Sequence, residues 1–136
     1  GNEGEEVPKS VQNLIVSPGI QVLPAKLCKN YGRLQEVSLP EGLIEIGMEA
    51  FGSCKNLLEI KICNTVESIA EWAFMRCQDL TKVEFEFASS LPHHQLKAIG
   101  GNAFSHCISL LRIKIPSSVN WIDRGAFRCC YVLVEA

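Results

Sequence analysis

The residues of this 136-residue chain with the most chemical potential are its seven cysteines and three histidines. The cysteines stand at Cys28, Cys54, Cys63, Cys77, Cys107, Cys129 and Cys130, the histidines at His93, His94 and His106. In a small secreted protein such a cysteine count invites a disulfide framework. Zinc wants four convergent ligands, and no C-x-x-C spacing occurs. His93 and His94 would need a third and fourth ligand on rigid backbone before they held a metal. The run Ser105-His106-Cys107 sets nucleophile and base types side by side, but consecutive residues do not face one another. Only two aspartates exist, Asp79 and Asp123, and no carboxylate pair stands out for acid–base work. No Gly-rich loop joins a strand to a helix to cradle phosphate. The chain therefore reads as non-enzymatic, with no metal and no cofactor.

What positions these residues is a repeat. "IGMEAFGSCKNLLEIKI" at 46–62 and "IAEWAFMRCQDLTKVEF" at 69–85 align residue for residue. The leucines Leu34, Leu57, Leu80, Leu110 and Leu133 are spaced by 23, 23, 30 and 23 residues. The row pattern is L-x-x-I-x-I-P-x-x-V-x-x-I-x-x-x-A-F-x-x-C-x-x. Four rows carry its end in full, as Ala50-Phe51-Cys54, Ala73-Phe74-Cys77, Ala103-Phe104-Cys107 and Ala126-Phe127-Cys130. The first row, from Val11, degenerates to Leu27, Cys28 and Tyr31, as terminal repeats do. A period of 20 to 29 residues headed by L-x-x-L-x-L points to a leucine-rich-repeat solenoid.

The alternation in "LLEIKI" puts Ile60 and Ile62 on one face of a short strand, which pairs in parallel with the next row roughly 4.8 Å away. A single row cannot bury its apolar side, whereas a stack buries a continuous column. Phe51, Phe74, Phe104 and Phe127 are then expected to stack as an aromatic ladder, with Cys54, Cys77, Cys107 and Cys130 as a second ladder of small buried hydrophobes beside it. Side chains in a ladder point the same way, which is poor geometry for a disulfide or for zinc. Cys63 and Cys129 fall at outward or turn positions and are the better candidates for a reactive thiol or redox sensor. The 30-residue interval contains an insertion near 86–95, and such insertions map to loops.

The stretches "LPEGLIEIGMEAFGSCKNLLEI" (39–60) and "AIGGNAFSHCISLLRIKIPSSV" (98–119) resemble the BspA-type leucine-rich repeat. The resemblance runs over about residues 11–136. It implies a curved, right-handed solenoid with parallel strands on the concave face and turns or short helical segments on the other side. It also implies binding roles, in adhesion, host or matrix contact and protein interaction, often at a cell surface. It brings no catalytic residue. Departures fall at Cys63 and Glu86 in the Pro position, and at Ala70 and Asp123 in the Gly position.

With a net charge of −2 and a pI near 5.9, the chain has no field to steer it to nucleic acid or an anionic membrane. No apolar run approaches the ~18 residues of a membrane span. The expected partner is a protein. Its docking surface would be the outward strand positions Glu59, Lys61, Lys82, Glu84, Arg112 and Lys114, with Glu36 and Ser38 beside them. His93 and His94 of the insertion would add to it. Trp72 and Trp121 occupy slots that are polar or small in other rows, so both indoles are expected to be partly exposed, as interface anchors are. Residues 1–10 read as an acidic tail. The last row presents an open sheet edge on which another chain or further rows would pack. The alternative to partner recognition is thus a structural subunit whose end-to-end contacts matter most. Location stays open in the sequence: the resemblance points to a cell surface, the unpaired thiols to a reducing compartment.

Overall fold

A computed structural model describes residues 7–87 and 90–134; residues 1–6 of the expected tail, 88–89 of the insertion and 135–136 lie outside them. Each row contributes two short strands. The first set is β1 (Asn13–Ile15), β3 (Glu36–Ser38), β5 (Glu59–Cys63), β7 (Lys82–Glu86) and β9 (Arg112–Ile113). The second is β2 (Val22–Leu23), β4 (Glu45–Ile46), β6 (Ser68–Ile69), β8 (Ala98–Ile99) and β10 (Trp121–Ile122). All pairings are parallel, between equivalent positions of neighbouring rows: Ile60 faces Val83, Val83 faces Ile113, and Glu45 faces Ser68. The second set forms one five-stranded sheet. The first divides into β1–β3 and β5–β7–β9, joined where the Leu58 amide donates to the Gln35 carbonyl at 3.3 Å. The repeat thus builds two strand columns where the sequence pattern suggested one.

After the second strand each row folds through tight turns. The alternate amides of Glu49, Phe51 and Ser53 reach along the stack to the carbonyls of Glu71, Ala73 and Met75 at 3.1, 2.8 and 2.7 Å. The amides between them, from Ala50, Gly52 and Cys54, turn back on Gly47, Glu49 and Phe51. This zigzag needs left-handed backbone twice per row. Lys26, Glu49, Trp72, Asn102 and Gly125 supply it at one place, and Asn30, Ser53, Arg76, His106 and Cys129 at the other. Such conformations are costly for bulky residues and persist only where neighbouring rows enforce them.

The core is a set of columns. Phe51 and Phe74 stack with centroids 5.5 Å apart, Phe74 and Phe104 at 5.2 Å, and Phe104 and Phe127 at 5.5 Å. The expected thiol column stands beside it: Cys54, Cys77 and Cys107 are all sealed from solvent. Each thiol donates one row back, Cys77 to the Phe51 carbonyl and Cys107 to that of Phe74, both at 3.2 Å. Cys54 donates to the Cys28 carbonyl and Cys130 to that of Phe104, both at 3.1 Å. Cysteine suits this place because it packs as a small hydrophobe and still carries a weak donor for a buried carbonyl.

In the first row the sizes are exchanged. Cys28 lies one period before Phe51, and Tyr31 one period before Cys54. A small residue under the phenyl column is balanced by a large one under the thiol column, and the Tyr31 hydroxyl donates to the Val7 carbonyl. Gly47 and Gly100 answer a different demand. A methyl at Gly100 would lie 2.5 Å from the Glu71 amide nitrogen, and one at Gly47 2.3 Å from the Leu23 carbonyl oxygen.

Candidate functional site

The outward residues of the first strand set form two rows of side chains across the sheet. One runs Asn13, Glu36, Glu59, Lys82, Arg112, with Glu59 in register with Lys82 and Lys82 with Arg112. The other runs Ile15, Ser38, Lys61, Glu84 and, in the β9 row, Lys114. Glu59, Lys61, Lys82, Arg112 and Lys114 are exposed, while Glu84 is half-buried and pairs with Lys82 at 3.7 Å. Along the stack the first of these rows changes sign, from Glu36 and Glu59 to Lys82 and Arg112. A depression of about 470 Å³ opens on this face, its walls including Glu36, Ser38, Glu59, Lys61 and Glu86. These six sequence-selected charges are brought together on one surface.

The other four selected residues lie elsewhere. Trp121 sits on β10 in the second sheet, in register with Ala98, and is 62% exposed. Trp72 is half-buried in the turn column, at one of the left-handed positions, where its amide donates to the Gly101 carbonyl. His93 is exposed; His94 is half-buried, its ring 4.2 Å from that of Phe87 and 6.5 Å from that of Phe85. That burial pulls the His94 imidazole below its usual range. The insertion is fastened by Asn64, itself 1% exposed, whose side-chain amide donates to the Leu91 and His93 carbonyls at 3.1 and 3.4 Å. Its own backbone carbonyl accepts from the Gln95 amide at 3.0 Å. Sequence reasoning passed over Asn64. Its only signal was a polar residue at a strand end directly before a row of irregular length.

Cys63 was expected at an outward or turn position, open to reaction, and the structure corrects the exposure: it is buried, at 4%. Strand alternation would turn it to solvent, but the chain bends straight after it, and its thiol lies 3.5 Å from the Asn64 Oδ1 in that corner. Cys129 stays half-exposed in a turn. The sealed thiols are chemically quiet. Burial pushes Cys28 up to about 11 and Cys54 up to about 12, and Cys77 and Cys107 are also raised far from the reactive range. Ser105 Oγ does meet His106 Nδ1 at 2.8 Å, yet Ser105 is only 2% exposed, so no substrate reaches it. Among the described residues no group of three or more His, Cys, Asp or Glu side chains is placed to hold a metal ion. Nor is any described helix long and apolar enough to cross a membrane.

Parallel strands stacked row on row around a phenyl column define a repeat solenoid of the leucine-rich type. More narrowly, the chain belongs to the family described as BspA type leucine rich repeat region, which matches residues 21–136 in six copies. β1 lies upstream of that match and still pairs in register with β3. The fold is similar to that of a T. pallidum leucine-rich repeat protein, with 30% identity and a TM-score of 0.83 over 93% of this chain. It is similar also to a Bacteroides ovatus leucine-rich repeat protein, at 19% identity and a TM-score of 0.55. The chain spans 57% of the former and 49% of the latter. No curated protein matches it. Proteins of this fold commonly serve in protein interaction and are generally not catalysts.

Proposed function

We propose that this chain is a non-enzymatic protein-interaction module that docks its partner on the outer face of the first strand set. One observation carries the reading. On a face that opens into a depression lined by Glu36, Glu59 and Lys61, one row of side chains runs from carboxylates at Glu36 on β3 and Glu59 on β5 to cations at Lys82 on β7 and Arg112 on β9. Solenoids use such extended sheet surfaces for binding. A sign change along the stack sets polarity, because a partner bound the wrong way round meets like charges. The partner that fits is an extended segment with basic residues toward β3 and acidic residues toward β9. Adhesion at a cell surface is the setting the family resemblance supplies for this activity.

The test is direct. The intact chain is used to capture interacting proteins, and each one identified is measured against the variant Lys61→Ala, Lys82→Ala, Arg112→Ala, Lys114→Ala. Affinity should fall at least about tenfold with circular dichroism unchanged, since charged interface contacts commonly contribute more than 1.4 kcal/mol together. Undiminished binding by a folded variant sinks the proposal.

A second reading, assembly through end contacts, rests on the last described row. Ile122 is 47% exposed, whereas Ile99, its counterpart one row earlier, is fully sealed. Sedimentation of the chain against Ile122→Lys separates the two readings, because only assembly makes the mass depend on that side chain.

A further inference from the structure

Away from the strand face, the insertion and the row after it enclose a second cleft of about 450 Å³. Phe87, His93, His94 and Gln95 reach it from the insertion, and Lys97, Ser117 and Ser118 from the chain that follows. Four features make it a built site. Phe87 is 62% exposed, a large aromatic surface left to solvent beside the half-buried His94 ring. The loop carrying both is pinned by buried Asn64 and by the Gln95 side-chain amide, which donates to the His93 carbonyl at 2.9 Å. The Ser118 Oγ is buried and has no hydrogen-bond partner among the described residues. A buried hydroxyl without a partner costs about 1–3 kcal/mol, so turning the Ser118 side chain toward an acceptor in the cleft forfeits no hydrogen bond and recovers that cost. Finally, Lys97 enters no ion pair among the described residues, and none of the cleft's described lining residues is a carboxylate.

We propose that this cleft binds a small ligand with an oxyanion, a carboxylate or a phosphate, joined to a flat apolar body. The Lys97 ammonium and the Ser117 hydroxyl meet the oxyanion, joined by the Ser118 hydroxyl once its side chain rotates outward, and the flat body lies against Phe87 and His94. Lys97 supplies the fixed charge, because burial holds His94 toward its neutral form near pH 7. Donors of these kinds recognise oxyanions by charge-assisted hydrogen bonds, and an exposed phenyl ring gives a planar ligand its contact area. The position of Lys97 is secure. Its amide donates to the Glu67 carbonyl at 2.8 Å, and its carbonyl accepts from Asn120 and Trp121 at 3.0 and 3.2 Å. None of the six strand-face charges lines the cleft, so this proposal and the docking proposal stand or fall separately.

The experiment follows amide shifts by NMR while phenyl phosphate, benzoate, inorganic phosphate or benzyl alcohol is titrated into the full chain. Phenyl phosphate or benzoate should move the signals of His94, Lys97, Ser117 and Ser118 at saturable concentration, and the tighter of the two names the oxyanion. Inorganic phosphate should bind more weakly for lack of the flat body, and benzyl alcohol more weakly for lack of charge. Lys97→Gln, an exposed substitution that leaves the fold intact, should weaken binding about tenfold, and Phe87→Ala should erase the advantage of phenyl phosphate over inorganic phosphate. The proposal is overturned if none of the probes shifts these signals, if benzyl alcohol binds as well as the anions, or if folded Lys97→Gln binds unchanged.

Discussion

Ile99 and Ile122 hold the same place in consecutive rows, one strand apart in the same sheet, yet the first is sealed and the second is 47% exposed. Phe104 and Phe127 differ in the same sense: their rings stack at 5.5 Å, but Phe104 has a phenyl on both sides and Phe127 on one. The members of each pair are the same residue type at the same position of the row pattern. Burial here belongs to the stack, and a residue is worth what the row above it covers. Solenoid energetics follow from this, with each row contributing its own stability plus a contact with each neighbour.

The strongest way to break the comparison is to delete the same ring in two rows. Phe74→Ala removes a fully buried phenyl flanked by Phe51 and Phe104, and should cost about 3–5 kcal/mol of unfolding free energy. Phe127→Ala should cost about half as much, since its ring is only partly covered. Urea unfolding followed by circular dichroism measures both. Equal losses would mean that rows bury their own side chains and that the column is incidental.

The next effect in size tests how closely rows approach. Gly100→Ala drives a methyl to within 2.5 Å of the Glu71 backbone nitrogen, and should cost about 2–3 kcal/mol, because the atoms it meets are all backbone of Ala70 and Glu71 and resist the shift. Gly32→Ala meets nothing within 4 Å and should stay within about 0.5 kcal/mol of the parent. Thermal melts of the two variants side by side give the contrast, and a mild Gly100→Ala would show that the rows can slide apart.

The stacking was legible in the sequence because identical residues recurred at a fixed interval, and a fixed interval is what a stack of rows imposes on a chain. Both the phenyl and the thiol columns followed from that alone. The second sheet was harder to see, since each of its strands has only two residues and one inward side chain, too short for alternation to register. Left-handed backbone at Glu49, Trp72 and Asn102 was hidden by the variety of residues filling the slot, where one invariant glycine would have announced it. Cys63 misled because it is the last residue of β5, and the corner at Asn64 follows it directly. The cleft at the insertion depends on where an irregular loop comes to rest, which no periodicity encodes. The six strand-face charges could be read because they share the strand period; Trp72 and Trp121 shared no period, and the fold sets them on separate flanks.

The smallest expected effect sharpens the comparison through its thiols. Below pH 8 both folded and unfolded chains keep their cysteines protonated, so the ladder adds no pH dependence. An unfolded thiol ionises near 9.0, whereas burial raises Cys54 to about 12 and drives Cys77 and Cys107 the same way. As pH rises through 9 the unfolded chain therefore loses protons that the folded chain keeps, and stability falls with rising pH. At pH 9 each sealed thiol should lower stability by about 0.4 kcal/mol, so the three together by about 1 kcal/mol relative to pH 7. Replacing Cys54, Cys77 and Cys107 together by alanine should remove their share of that slope and leave the part due to Cys28, which burial raises to about 11, although the variant is less stable throughout. Cys130, which lies in the partly uncovered last row, is raised by burial in the same direction. Thiol labelling at pH 8 should find half-exposed Cys129 reacting in the native state, with the three ladder thiols reacting only as fast as the chain opens. A flat stability profile from pH 7 to 9, or ladder thiols labelled as fast as Cys129, would show that solvent reaches the column and that inner rows are no better covered than the outermost.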